Sequence, residues 1–96
     1  MSANDLSGRK VLVLGLGETG LSMARFLERR GARLRIADTR DAPPALDAVC
    51  RTMPEAEVAL GRFEFALLDG IDMVAISPGI PLADPVPQAA VARGIE

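Results

Sequence analysis

Histidine, tryptophan and tyrosine are absent from this sequence, and cysteine and lysine occur once each, as Cys50 and Lys10. A lone cysteine cannot close an intramolecular disulfide, and without histidine a Cys/His metal site is excluded. Cys50 reads as a buried or chemically indifferent thiol rather than a reactive one. Charge of one sign is lacking too: 11 basic side chains face 13 acidic ones for a net charge of −2, with no basic block. Nothing here creates a long-range field for nucleic acid or anionic membrane, so a bound anion must be gripped locally. No apolar run approaches the ~20 residues of a membrane helix, and the polar leader at residues 1–9 lacks the apolar stretch of a secretory signal. A cytoplasmic location is the expectation.

What is present is an aliphatic core for one small domain over residues 10–96. The chain has 96 residues, 49% of them hydrophobic, and its only aromatics are three phenylalanines. A domain of this size buries roughly 65% of the surface its unfolded chain exposes, so its stability is marginal. Val11 to Leu14 form an uninterrupted apolar run ending at Gly15, the pattern of a strand buried on both faces of a parallel sheet. From Thr19 a helical stripe of Gly20, Met23, Ala24 and Leu27 follows, stopped by Gly31. Arg33 to Ala37 alternate as a second strand, and Pro43-Pro44 cannot continue it.

A short helix is expected over Ala45 to Arg51, a third strand over Glu57 to Leu60, a turn or helix over Arg62 to Leu68, and a fourth strand over Met73 to Ile76. Val86 to Arg93 has helical spacing after Asp84 and Pro85, and Gly94 closes it. Strands alternating with helices call for an α/β Rossmann-like open parallel sheet of order 3-2-1-4 with helices on both faces. Ile95-Glu96 stands where a fifth strand is expected to start, so the chain reads as cut at that point.

Gly15-Leu16-Gly17-Glu18-Thr19-Gly20 is a G-x-G-x-x-G sequence set between a buried strand and an amphipathic helix, the context that gives the motif meaning. Its first glycine permits a tight turn, its second lets backbone approach a diphosphate, and its third lets helix and strand pack closely. Amides of Glu18 and Thr19 would meet phosphates where the helix dipole favours negative charge. Asp38 ends the second strand, where an acid accepts hydrogen bonds from ribose or base; the alternative is an Asx-turn opening toward Thr39 and Arg40. Thr39 suits either role, and Arg40 either stacks on a base, meets a phosphate or is solvated. Ser77 and Gly79, in Ser77-Pro78-Gly79-Ile80, leave the fourth strand at the same sheet edge, as part of the crevice or as a plain turn. The remaining arginines, among them Arg25, Arg29, Arg33 and Arg51, read as a solvated shell.

Val11 to Ser22 (VLVLGLGETGLS), Ala37 to Arg40 (ADTR) with the prolines after it, and Ala75 to Ile80 (AISPGI) together resemble the amino-terminal domain of the Mur ligase family, in the branch that adds D-glutamate. The resemblance covers nearly the whole chain from Lys10. It implies that the ligand is the UDP part of UDP-N-acetylmuramoyl-L-alanine, with the glycine loop at the diphosphate, Asp38 and Thr39 at uracil, Arg40 nearby, and Ser77 and Gly79 beside ribose or phosphate. It further implies a longer three-domain ligase of peptidoglycan synthesis. Its central and carboxy-terminal domains would use ATP and magnesium to form an acyl phosphate that the amine of D-glutamate attacks.

This chain has no G-K-[ST] loop, and Lys10 precedes the first strand, so no catalytic residue, metal ligand or cofactor is assigned within it. The glycine loop and Asp38 alone suit equally an NAD-binding Rossmann module of a dehydrogenase or transporter regulator. The SPGI turn and the proline pair favour the UDP reading. A ligand-free interaction domain is the third alternative.

Overall fold

The computed structural model describes residues 6–61, 63–77 and 89. Along them run β1 (Lys10–Leu14), α1 (Glu18–Arg29), β2 (Arg33–Asp38), α2 (Leu46–Thr52), β3 (Glu57–Leu60), a 3₁₀ turn (Phe65–Leu68) and β4 (Met73–Ile76). The four strands are parallel, in the order β3-β2-β1-β4. β1 therefore lies inside the sheet, and its lack of polar alternation has a direct cause: both of its faces are covered. Val11 and Val13 pack with Leu27, Ile36 and Val49 under α1 and α2, while Leu12 and Leu14 pack with Ala37, Leu67 and Leu68 on the other face. All four β1 side chains from Val11 to Leu14 are fully buried, each contributing about 1.5–3 kcal/mol.

The expected elements form within a residue or so of their expected ends. α1 starts one residue early, and β2 runs on to include Asp38. Gly31 stops α1 with φ of 88°, and its N–H donates back to the Glu28 carbonyl at 2.9 Å. The Arg62 to Leu68 stretch resolves into a 3₁₀ turn at its end. Residues 6–9, expected as leader, are tied to the domain: Leu6 packs against the core, its N–H donates to the Arg30 carbonyl, and the Arg33 N–H donates to the Arg9 carbonyl. Cys50 is exposed on α2 rather than buried. The expected helix over Val86 to Arg93, its Asp84 and Pro85 start, its Gly94 stop and the strand at Ile95 lie outside the described residues, apart from Ala89, which is helical and packs on the second face of the sheet.

Arg35 departs from the solvated-shell expectation. Its Nε donates to Glu57 at 2.7 Å, and its Nη1 donates to the carbonyls of Leu67 and Asp69 at 2.8 and 3.0 Å. The 3₁₀ turn leaves carbonyls without helical partners at its end, and a strand arginine beneath it supplies the donors. This clamp fixes the connection between the two edge strands across the sheet.

Packing is especially close where α1 meets the end of β1. A Cβ built on Gly20 would fall deep inside the Gly15 carbonyl, so only hydrogen fits between helix and strand. Gly20→Ala is expected to destabilise the chain by about 3 kcal/mol, the upper end for overpacking, read as a lowered melting temperature in circular dichroism; an unchanged melting temperature would contradict this packing.

Candidate functional site

Register places three chain segments at one level of the carboxy-terminal sheet edge. Leu14 of β1 pairs with Ala37 of β2 and with Ile76 of β4, so Gly15, Asp38 and Ser77 leave the sheet side by side. The Gly15 N–H donates to the Ala37 carbonyl at 2.8 Å, and the Ser77 N–H to the Leu14 carbonyl at 2.9 Å. Of the expected site residues, the structure brings together Gly15, Gly17, Glu18, Thr19 and Gly20 with Asp38, Thr39, Arg40 and Ser77. Gly79 lies outside the described residues.

The three loop glycines have distinct physical grounds. Gly15 has φ of 102°, a conformation that disfavours any side chain. Gly20 meets the Gly15 carbonyl as described. Gly17 has neither requirement: its φ is −97°, and a Cβ there would meet nothing within 4 Å. It is the N-cap of α1, yet no side chain caps this helix. A helix start ordinarily takes Ser, Thr, Asp or Asn, which satisfy its free amides, or Gly, which leaves them open. Here the first-turn N–H groups, including those of Glu18 and Thr19, have no helical acceptor and lie at the positive end of the dipole. The exposed carboxylate of Glu18 sits in that same first turn.

Asp38 is only 2% exposed, and its carboxylate accepts four hydrogen bonds. Oδ2 takes the Leu16 N–H at 2.7 Å and Arg40 Nη2 at 2.7 Å; Oδ1 takes the Arg40 N–H at 2.8 Å and Arg40 Nε at 2.9 Å. The Asx-turn toward Arg40 is therefore formed, together with a two-pronged ion pair to the same residue. Leu16, which no sequence signal singled out, is the hinge of this arrangement. It is fully buried between the first two glycines, its N–H bonds Asp38, and its carbonyl accepts the Ala45 N–H at 3.2 Å. The prolines before Ala45 thus lead the chain back onto the glycine loop.

Above all the Arg40 guanidinium, and with it the amides of Arg40 and Leu16, hold the Asp38 carboxyl well below the usual carboxylate range, against the opposing effect of burial. The same pairing raises Arg40. A separate cavity of about 410 Å³ lies at the opposite end of the strands, lined by Lys10, Glu28, Arg33, Glu55 and Glu57 among others. Its side chains of both signs show no phosphate cradle.

The sequence from residue 9 to 96 matches the family model described as Mur ligase MurD-like, N-terminal domain. The UDP-N-acetylmuramoylalanine–D-glutamate ligase of Nitrosospira multiformis is 55% identical over 95% of this chain and 19% of its own length. That of Thiobacillus denitrificans is 51% identical over 98% of this chain and 20% of its own. The chain thus spans about a fifth of these relatives. Among solved structures, the L-tryptophan dehydrogenase from Nostoc punctiforme superposes with a TM-score of 0.65 at 23% identity, covering 95% of this chain and 32% of that one. At that identity the likeness is one of fold. Among the described residues no helix is long and apolar enough to cross a membrane.

The depressed Asp38 carboxyl makes stability depend on acid. A folded-state value below the ordinary 3.8 gives stability that is fully present above that pH and is lost as pH falls through and below it. Arg40→Gln is expected to cost about 1–2 kcal/mol at neutral pH and to flatten this acid limb, measured by urea unfolding between pH 7 and 2.5. An unaltered acid limb in the variant would refute the pairing as its source.

Proposed function

This chain belongs to the Mur ligase MurD-like, N-terminal domain family, and we propose that it grips the UDP end of UDP-N-acetylmuramoyl-L-alanine for an amide-forming ligase of peptidoglycan synthesis. The observation that carries this reading is Gly17. Neither its backbone angles nor its neighbours within the chain call for glycine, whereas a diphosphate lying against the uncapped start of α1 does, because a Cβ there would intrude on it. The amides of Glu18 and Thr19 take the phosphates, with Glu18 turning its carboxylate away. Asp38, Thr39 and Arg40 form the base end of the site, and Ser77 and Gly79 border ribose or phosphate. The ligand sits in the crevice outside the carboxyl ends of the strands, next to the end of β1.

The reading places the parent ligase's ATP and magnesium outside this domain. The sequence holds no G-K-[ST] loop, and Lys10 lies at the far end of β1 near Glu57. The chemistry of acyl transfer therefore belongs to the central and carboxy-terminal domains of the longer polypeptide. The share of this domain is orientation: a remote handle held firmly fixes where the reacting carboxylate sits. The setting is the cytoplasm, with no nucleic acid or membrane partner.

Two measurements test the reading. In an NMR titration of the chain, UDP is expected to shift the amides of Gly17, Glu18 and Thr19, while NAD does so weakly; the reverse order would assign the site to a dehydrogenase-like module. Gly17→Ala is expected to change stability by no more than about 1 kcal/mol yet to weaken UDP binding at least about tenfold, since the added methyl lies in the path of the phosphates. Unchanged affinity would remove the argument from Gly17.

A further inference from the structure

We propose that Asp38 is a positioning residue for the diphosphate end of the site, acting through the Leu16 peptide, in addition to any part it takes at the base end. The inference rests on the nucleotide-binding reading above. The two carboxylate oxygens face different neighbours. Oδ2 holds the Leu16 N–H, inside the glycine loop and 22 residues away in sequence, as well as Arg40 Nη2; Oδ1 holds only Arg40 atoms. The Arg40 side chain is 54% exposed, so an arriving base can stack on the guanidinium face while Oδ2 keeps Leu16.

Leu16 is held from three sides: its N–H by Asp38, its carbonyl by the Ala45 N–H, and its side chain by the core. The next residue is Gly17, with no side chain to pack; its carbonyl accepts the Leu21 N–H at 2.9 Å, so on the strand side only Leu16 fixes it. Glycine is the most conformationally free residue, so the direction of the Glu18 and Thr19 amides depends on where Leu16 is pinned. The short charge-assisted bond from Asp38 is the strongest of those pins. It links the end of β2, where a base is read, to the loop after β1, where phosphates are gripped.

Charge and position make opposite predictions for Asp38→Asn. Removing a negative charge beside a phosphate site strengthens anion binding on electrostatic grounds alone, whereas exchanging the charge-assisted bond to Leu16 for a weaker neutral one loosens that pin and weakens binding. The probes are UDP and inorganic pyrophosphate, which has no base, titrated against the 96-residue chain with amide shifts as the readout. Asp38→Asn is expected to weaken both ligands about tenfold and to move the Leu16 amide proton upfield before any ligand is added. Loss of UDP binding with pyrophosphate binding kept or improved overturns the inference and leaves the nucleotide reading standing. Failure of the unaltered chain to bind either ligand overturns both. A measurement on the unaltered chain guards against a variant that does not fold: the scalar coupling across the Leu16 N–H···Asp38 bond is expected to persist at saturating pyrophosphate, and its disappearance on binding overturns the inference.

Discussion

The close contact between Gly20 and the Gly15 carbonyl governs the rest of this structure. Helix α1 can follow β1 after only three residues because nothing larger than hydrogen stands between them. That proximity lays α1 on the face carrying Val11 and Val13, with Glu18 and Thr19 of its first turn exposed. A larger residue would lever the helix start away from the strand and open the apolar layer beneath it. Core packing and the exposure of the helix amides therefore have one cause.

The second constraint is the burial of a carboxylate at the end of β2. An unpaired buried charge would be severely destabilising, but four donors, two of them on a facing guanidinium, offset its lost hydration. Arg40 has a further effect on the site. A bare Asp38 beside a diphosphate would repel it, and the ion pair cancels that charge locally without adding to the net charge of the chain. The chain can thus use an acid as a structural anchor next to the place where an anion is expected to bind.

Much of this architecture was legible in the residues. β1 and β4 announced themselves as short apolar runs, β2 as an alternating one, and Gly31 as a stop, because these signals are local. The glycine loop was legible as a class, but only coordinates separate Gly15, which needs its backbone angle, from Gly20, which needs its closeness, and from Gly17, which needs neither. Asp38 was legible as important but ambiguous in role, since an Asx-turn and a ligand contact use the same atoms at the same position. Leu16 and Arg35 were not legible. Leu16 acts through its peptide, which any residue possesses, and Arg35 binds carbonyls 32 and 34 residues away that leave no mark on composition or period.

The choice between a UDP handle and a dinucleotide turns on the end of β2 rather than on the glycine loop, because both ligands carry a diphosphate that the same amides could hold. In a dinucleotide module the acid after the second strand accepts bonds from ribose hydroxyls, which requires open lone pairs on its carboxylate. In this chain each oxygen already has two donors, and the guanidinium covers the outward side. A ribose there would have to compete with an ion pair on its own ground. A flat base next to Arg40 need not, since the face of a guanidinium remains free for stacking while its edge stays bonded to Asp38. The arrangement therefore favours an aromatic ring over a sugar at this position, which is the order expected when the nucleotide is a uridine diphosphate with its base at the end of β2 and its sugar substituent leading away.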